Sequence, residues 1–179
     1  MKTAIFFERD GILNVPVLAG QSQIVPVTLD QFKINKQALP ALEHLKAAGF
    51  VLIATTNQPG LSNDLLSRRE LDRMHDLLRR ALPLDDIFVC PHDQADGCPC
   101  RKPEPGMFTE AAFKWQLDLE HSFVISDKWQ DARAARAVGL TSMMLQSPWI
   151  GSGHHDFVIP TLPGIADKII RMQTGHLAA

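Results

Sequence analysis

The acidic segment Glu8-Arg9-Asp10-Gly11 contains the first residues of this sequence whose types and spacing fit a chemical site. It follows an apolar run, Thr3 to Phe7, that predicts a short buried strand. Two carboxylates separated by one residue at the end of such a strand can face one crevice, where a divalent cation neutralises them. An acidic turn after an edge strand is the competing interpretation, and only residues elsewhere in the sequence can distinguish the two.

Polar residues also follow two later predicted strands. The run from Phe50 to Ala54 predicts a second buried strand, with Thr56-Asn57 in a polar turn after it. The run from Ser122 to Ile125 predicts another strand, followed by Asp127-Lys128 and then Asp131. Because open α/β sheets bind ligands beyond the carboxyl ends of their strands, we expect these side chains to face one site.

The residue types at these strand ends fit phosphoryl chemistry. Hard oxygen ligands suit Mg²⁺, and the candidates are Glu8, Asp10, Asp127 and Asp131. Thr56 and the amides after it can donate to phosphate oxygens, and Lys102 adds a positive charge. Taken singly, Thr56-Asn57 fits a side-chain-stabilised turn and Lys102 fits a surface lysine; their joint placement favours a site.

A Cys/His cluster predicts a second metal. Cys90-Pro91-His92 is followed after five residues by Cys98-Pro99-Cys100, and these are all the cysteines of the chain. Three thiolates and one imidazole form a closed tetrahedral Zn²⁺ site with no open position, so its role is expected to be structural. Buried free thiols are the alternative. The loop continues into Arg101-Lys102, and zinc would aim both side chains at a phosphate.

Strands alternate with helices along the whole chain, which predicts an α/β fold: a three-layer, Rossmann-like parallel sheet with helices on both faces. We expect one domain, 1–179, with a zinc-bound loop and no large cap, because the intervals between motifs are short. The further predicted elements are a loop with a small hairpin at 12–36, strands at 84–89, 141–145 and 157–159, helices at 38–48, 105–115, 130–138 and 162–172, a helix behind a Ser67/Glu70 capping box, and a frayed tail at 173–179.

Composition narrows the functional classes. A net charge of −2 disfavours nucleic acid and anionic membranes as partners. No run approaches the roughly 20 apolar residues of a membrane span, and the amino terminus is too short for a signal peptide core. We therefore expect a cytoplasmic protein, monomeric or weakly homo-oligomeric. Outside the cluster, His44, His75 and His121 are interpreted as surface or capping residues.

These motifs resemble the phosphatases of the haloacid dehalogenase-like superfamily. Within it, the chain is similar to the small subgroup that contains D,D-heptose 1,7-bisphosphate phosphatase and the histidinol-phosphate phosphatase domain. The matching segments, in family order, are Phe6 to Asn14, Thr56 to Gly60, Cys90 to Met107 and Ser126 to Asp131. The resemblance also implies the zinc site.

By this resemblance the first motif acid is the nucleophile that forms an acyl phosphate, and Asp10 is the general acid and base. The metal ligands implied are Glu8, Asp10 and Asp127, with Lys128 and Asp131 in support. The phosphate-binding residues implied are Thr56, Asn57 and Lys102, the last of which also orients the nucleophile. Arg101 matches the family's arginine beside the motif lysine and becomes a candidate substrate contact.

Two departures from the family pattern bear on activity and substrate. The nucleophile position holds Glu8 rather than aspartate, and an ångström of misplacement can cost on the order of 100-fold in rate. Three outcomes stay open: the backbone adapts so that Glu8 attacks, the protein is nearly inactive but binds metal and phosphate, or the glutamate is an altered residue in a normal enzyme. Ser62-Asn63-Asp64 replaces the family's Ala-Arg-Gly, which removes an arginine able to clamp a second phosphate.

The first hypothesis is a Mg²⁺-dependent phosphomonoesterase acting on a small phosphorylated sugar or polyol, such as a heptose (bis)phosphate or histidinol phosphate. The alternative is a catalytically impaired relative that binds metal and phosphate as a sensor or partner protein.

Overall fold

A six-stranded parallel sheet forms the middle layer of the computed structural model, which describes residues 1–176. In chain order the strands are β1 (Ala4–Glu8), β2 (Val17–Ala19), β3 (Ser22–Ile24), β4 (Val51–Asn57), β5 (Asp86–Cys90), β6 (Phe123–Ser126), β7 (Thr141–Leu145) and β8 (Phe157–Ile159). The order in the large sheet is β5-β4-β1-β6-β7-β8, and β2 pairs with β3 as a separate antiparallel hairpin.

Five α-helices cover this sheet within residues 1–176: α1 (Leu39–Ala47), α2 (Arg68–Ala81), α3 (Gly106–Trp115), α4 (Trp129–Arg136) and α5 (Leu162–His176). Side chains of α1, α2 and α5 form a core with one face of the sheet, and those of α3 and α4 form a core with the other face. The predicted three-layer α/β architecture is thereby confirmed. No helix in this part of the chain is long and apolar enough to cross a membrane.

Strand β1 shows why an unbroken apolar run predicts a strand that is buried on both faces. Ile5 and Phe7 join the core under α1, α2 and α5, while Ala4 and Phe6 join the core under α3 and α4. All four are fully buried, because both faces of a parallel strand are covered by helices. On the second face the rings of Phe6 and Phe108 lie edge to face, 4.9 Å apart.

Three local expectations needed correction. β4 continues through Asn57 instead of turning after Ala54, because parallel pairing with β5 runs as far as Asn57 and Cys90. The Ser67 hydroxyl accepts from the Glu70 amide at 3.1 Å, but the Glu70 carboxylate accepts from the Leu29 amide at 2.8 Å, so only half of the predicted capping box forms. α5 runs through His176, so 173–176 is helical rather than frayed; the rest of that predicted tail, 177–179, lies outside the described residues.

The strand order concentrates strand ends at one place. From β1 the chain adds β4 and β5 on one side, then returns to add β6, β7 and β8 on the other. Such a reversal leaves a crevice at the carboxyl ends of the strands beside it, here β1 and β6. Glu8 ends β1 and Ser126 ends β6, so the acidic motif and Asp127 meet at this crevice.

Candidate active site

A cavity of about 240 Å³ lies at the carboxyl ends of β1, β4 and β6. Most of the residues predicted for the site from the sequence line this cavity. These are Glu8, Asp10, Asn57, Arg101, Lys102, Lys128 and Asp131. Residues of the β2–β3 hairpin, among them Gln23, form part of its wall. The cavity thus joins residues from widely separated parts of the chain.

A buried ion cluster forms one wall of the cavity. The Lys102 ammonium donates to the Glu8 carboxylate and, at 2.7 Å, to Asp131. Glu8 also accepts from the Asp10 backbone amide at 3.1 Å. Burial alone would raise the pKa of Glu8, but the charges of Lys102 and Lys128 outweigh it and lower that pKa to about 2. Glu8 is therefore ionised at neutral pH and held beside a cation.

The Asp10 carboxylate is held by three other side chains. The Arg9 guanidinium donates to Oδ1 at 2.9 Å, while the Thr56 hydroxyl and the Gln58 amide donate to Oδ2 at 3.1 and 2.9 Å. Thr56 and Gln58 are completely buried. Of the two neighbouring residues predicted to bind phosphate, Thr56 contacts Asp10 through its hydroxyl, whereas Asn57 lines the cavity.

Arg9 itself is completely buried, which is rare for arginine outside a paired setting. Besides Asp10, its guanidinium contacts His75 Nε2 at 3.2 Å and lies 5.1 Å from the centre of the Phe32 ring. His75 is thus a buried residue of α2, and its interpretation as a surface residue was wrong. Burial and the charge of Arg9 lower the pKa of His75 to about 3, so the ring stays neutral and accepts from Arg9.

Replacing His75 by glutamine keeps an acceptor for Arg9 and removes the titrating group. The pKa of His75 falls from its ordinary 6.5 to about 3 on folding, so below pH 6.5 the unfolded chain binds a proton that the folded chain does not. Wild-type stability relative to His75→Gln should therefore drop by about 1.4 kcal/mol per pH unit below 6.5. Urea unfolding at pH 7.5, 6.0 and 5.0 measures this difference, and a difference independent of pH would contradict the assignment.

Asp127 offers the clearest position for a cation. Its Oδ1 atom is buried and has no hydrogen-bond partner. Burial raises the pKa of this carboxyl to about 6, with the negative charge of Glu8 adding to the effect. Beside it, the Lys128 ammonium donates to the Asp10 carbonyl oxygen at 2.6 Å. An unpaired carboxylate oxygen among other hard oxygen atoms fits Mg²⁺.

The Cys/His cluster predicted from the sequence assembles at the end of β5. The ligand atoms of Cys90, His92, Cys98 and Cys100 all lie within 4.8 Å of one another. The Cys100 sulfur is 3.2 Å from that of Cys90 and 3.5 Å from that of Cys98, and His92 Nδ1 is 3.3 Å from Cys100. Four such ligands at this spacing fit one tetrahedral ion.

The cluster is directly connected to the cavity. Asn57 and Cys90 are partners in the register of β4 and β5. The Asn57 side chain donates to the Lys102 carbonyl at 3.0 Å and accepts from the Lys102 amide at 3.1 Å. Arg101 donates to the His92 carbonyl at 3.0 Å. The loop that carries Arg101 and Lys102 is thereby held from both ends.

Several residues of this site were missed from the sequence. Arg9 and Gln58 stand inside the motifs that were recognised, so their positions were the available signal. Gln23 and His75 gave no comparable signal, because they come from the hairpin and from α2 and reach the site only through tertiary packing.

Comparisons with known proteins agree with this geometry. A family model described as HAD-hydrolase-like matches residues 99–148. D-glycero-β-D-manno-heptose-1,7-bisphosphate 7-phosphatase of Bordetella bronchiseptica is 32% identical over 164 residues, 89% of this chain and 87% of the relative. The histidine biosynthesis bifunctional protein HisB of Campylobacter jejuni is 32% identical over 144 residues, 78% of this chain and 40% of that protein.

Solved structures give the same result. The crystal structure of D,D-heptose 1,7-bisphosphate phosphatase from B. bronchiseptica, complexed with magnesium and phosphate, aligns with a TM-score of 0.83 at 29% identity. The alignment covers 96% of this chain and 99% of that one. The phosphatase of the same name from Burkholderia thailandensis, at 21% identity and a TM-score of 0.69, supports the fold alone. The chain therefore belongs to the HAD-like hydrolases, in the family of the heptose-1,7-bisphosphate phosphatases.

Proposed function

We propose that this protein is a Mg²⁺-dependent phosphomonoesterase that acts on a small phosphorylated sugar or polyol, such as a heptose phosphate or bisphosphate or histidinol phosphate. The observation that carries the proposal is the pairing of ionised Glu8 with Lys102 in the wall of a cavity. A fixed carboxylate and a fixed ammonium at one point supply a nucleophile and a charge for the phosphoryl oxygens. The names of the relatives support the same class of substrate.

In this proposal Asp127, Glu8 and the Asp10 carbonyl oxygen hold Mg²⁺. The unpaired Oδ1 of Asp127 supports the assignment, because a buried carboxylate oxygen without a partner is costly until a cation or donor meets it. When bound, Mg²⁺ supplies positive charge that offsets the charge of the phosphate. Asp131 supports this arrangement by accepting from Lys102. The Lys128 ammonium donates to the Asp10 carbonyl oxygen, so it would have to share or leave this oxygen when Mg²⁺ binds.

The proposed reaction has two steps. The Glu8 carboxylate attacks phosphorus, the ester P–O bond breaks, and Asp10 gives its proton to the leaving oxygen. Asp10 then takes a proton from water, the water oxygen attacks phosphorus, and the bond between Glu8 and phosphorus breaks to release inorganic phosphate. Lys102 and Asn57 contact the phosphoryl oxygens during both steps, and Arg101 contacts the rest of the substrate.

A second candidate function is favoured by the contacts of Asp10, the proposed acid. Its carboxylate accepts from Arg9, Thr56 and Gln58, so both of its oxygens already have donors. A binding protein that uses this cavity for metal and phosphate without turnover would have such a carboxylate, because it needs no group that gives up a proton.

Release of inorganic phosphate from a panel of sugar and polyol phosphates tests the proposed function. We expect Mg²⁺-dependent release from at least one panel member, lost with EDTA and restored by added Mg²⁺. Binding of phosphate and Mg²⁺ without release from any panel member would favour the second candidate.

We further propose that Cys90, His92, Cys98 and Cys100 hold a structural Zn²⁺ ion, since the cluster has the ligand number and types of closed zinc sites. Such a site needs reduced thiols, which supports the cytoplasm as the compartment in which the protein works.

A further inference from the structure

A second cavity, of about 390 Å³, adjoins the proposed phosphate site and has no part in the chemistry above. Three residues line both cavities: Gln23, Lys128 and Gln130. Trp129 and Trp149 are among the other residues that line the second cavity. A group bound through phosphate in the first cavity can therefore extend directly into the second.

The Gln23 side chain indicates what kind of group this is. Both its amide nitrogen and its amide oxygen are buried, and neither has a hydrogen-bond partner in the described structure. Leaving a buried donor and a buried acceptor unpaired costs free energy, so the pair fits a ligand that supplies both partners. A hydroxyl group can donate a hydrogen bond to the Gln23 amide oxygen and can accept one from the Gln23 amide nitrogen, so hydroxyl groups suit this side chain.

Gly11 shows that Gln23 is brought close to the reacting centre. Gly11 has a φ of +107°, and a Cβ at this position would lie 2.5 Å from both Gln23 Nε2 and Asp127 Oδ2. The positive φ favours glycine, and a larger residue would push the two side chains apart, so the motif glycine allows the hairpin amide to approach the proposed metal ligand. Gln23 therefore lies at the boundary between the phosphate and the group that leaves with the ester oxygen.

The backbone that carries Trp129 and Trp149 is held beside this boundary. Trp129 donates its backbone amide to the Trp149 carbonyl at 3.3 Å, and the Ser147 hydroxyl donates to the Asp127 carbonyl at 2.7 Å. Trp129 nevertheless keeps 36% of its surface exposed. Aromatic surface combined with a few amides is typical of pockets that take an organic group with apolar C–H faces and polar hydroxyls.

We propose that the second cavity binds the sugar portion of the substrate, with Gln23 hydrogen-bonded to its hydroxyls and Trp149 packed against its C–H face. The inference rests on the proposed function, because it places the phosphoryl group in the first cavity. It adds to the proposed function the residues that would recognise the sugar, and it excludes substrates too small to reach Trp149.

Binding of two phosphonates to the full chain with Mg²⁺, measured by calorimetry, tests this inference without turnover. One is methylphosphonate, and the other is the isosteric phosphonate of a hexose 6-phosphate. We expect the sugar phosphonate to bind wild type at least about tenfold more tightly than methylphosphonate. Trp149→Ala should remove most of this preference while leaving the affinity for methylphosphonate unchanged, because Trp149 lines only the second cavity. Gln23→Ala should weaken binding of the sugar phosphonate more than binding of methylphosphonate, because Gln23 lines both cavities.

Leu18→Ala is the matched control, because Leu18 lies on the same hairpin, is 57% exposed and lines neither cavity. Equal affinity of the two phosphonates for wild type would overturn the inference. So would a preference that survives in Gln23→Ala but is lost in Arg133→Ala, since Arg133 lines a different neighbouring cavity with Arg101.

The outcome is separable from that of the proposed function. A sugar preference that depends on Gln23 and Trp149, without phosphate release from any ester, would support the sugar site and contradict the enzyme. Phosphate release from an ester, without a preference for the sugar phosphonate, would support the enzyme and contradict the sugar site. Failure of both phosphonates to bind, together with no phosphate release from any ester, would overturn both proposals.

Discussion

Glu8→Gln is expected to reduce phosphate release by roughly 10³-fold or more. The amide is neutral and is no nucleophile, and it removes one of the two carboxylates that contact the Lys102 ammonium. Initial rates with the best substrate of the panel measure the effect. Glu43→Gln, an exposed glutamate of α1, is the matched control and should leave the rate unchanged.

Glu8→Asp tests whether the site is built around the longer side chain. In the structure one Glu8 oxygen meets the Asp10 amide at 3.1 Å while the other meets Lys102. Shortening the side chain by one methylene withdraws the carboxylate by more than an ångström, and we expect a rate about 100-fold lower. Higher activity for Glu8→Asp than for wild type would show that Glu8 impairs the site, and would favour the second candidate function.

The architecture was predictable because it depends on local signals. Apolar runs such as Phe50 to Ala54 specify strands that are covered on both faces, and the alternation of strands with helices leaves few topologies open. The positions of Glu8, Asn57 and Asp127 followed from one rule, that parallel strands present their carboxyl ends at the same edge. The Cys/His cluster was equally predictable, since the spacing of its residues within eleven positions is itself the signal.

Contacts between distant elements were not predictable in this way. Arg9 stands between two acids in the sequence, and its complete burial depends on acceptors that include His75, 66 positions later. The Thr56 hydroxyl contacts Asp10 instead of the cavity because β4 extends through Asn57, which places alternate side chains on opposite sides. Gln23 lies on a three-residue strand whose position over Gly11 is set by the fold alone.

Removal of zinc is expected to lower both stability and activity. The four ligands lie at the end of β5 and in the loop after it, so the free energy of metal binding stabilises the ordered form of that loop. Binding free energies of roughly 10–16 kcal/mol are typical of small zinc domains. Because the sheet has a core of its own, we expect only part of this to appear, as a fall in melting temperature of about 10 °C. Calorimetry before and after chelation, with zinc content measured, gives the value.

Cys98→Ser should reproduce the effect of chelation, whereas His154→Ala, in an exposed loop outside the cluster, should not. The activity loss should be incomplete, because the backbone of Lys102 stays bound to Asn57 on both its amide and its carbonyl. Asn57→Ala should therefore make activity much more sensitive to chelation. An unchanged melting temperature after verified loss of zinc would show that the loop is ordered by its protein contacts alone, and that Lys102 is positioned by Asn57 and the carboxylates of Glu8 and Asp131.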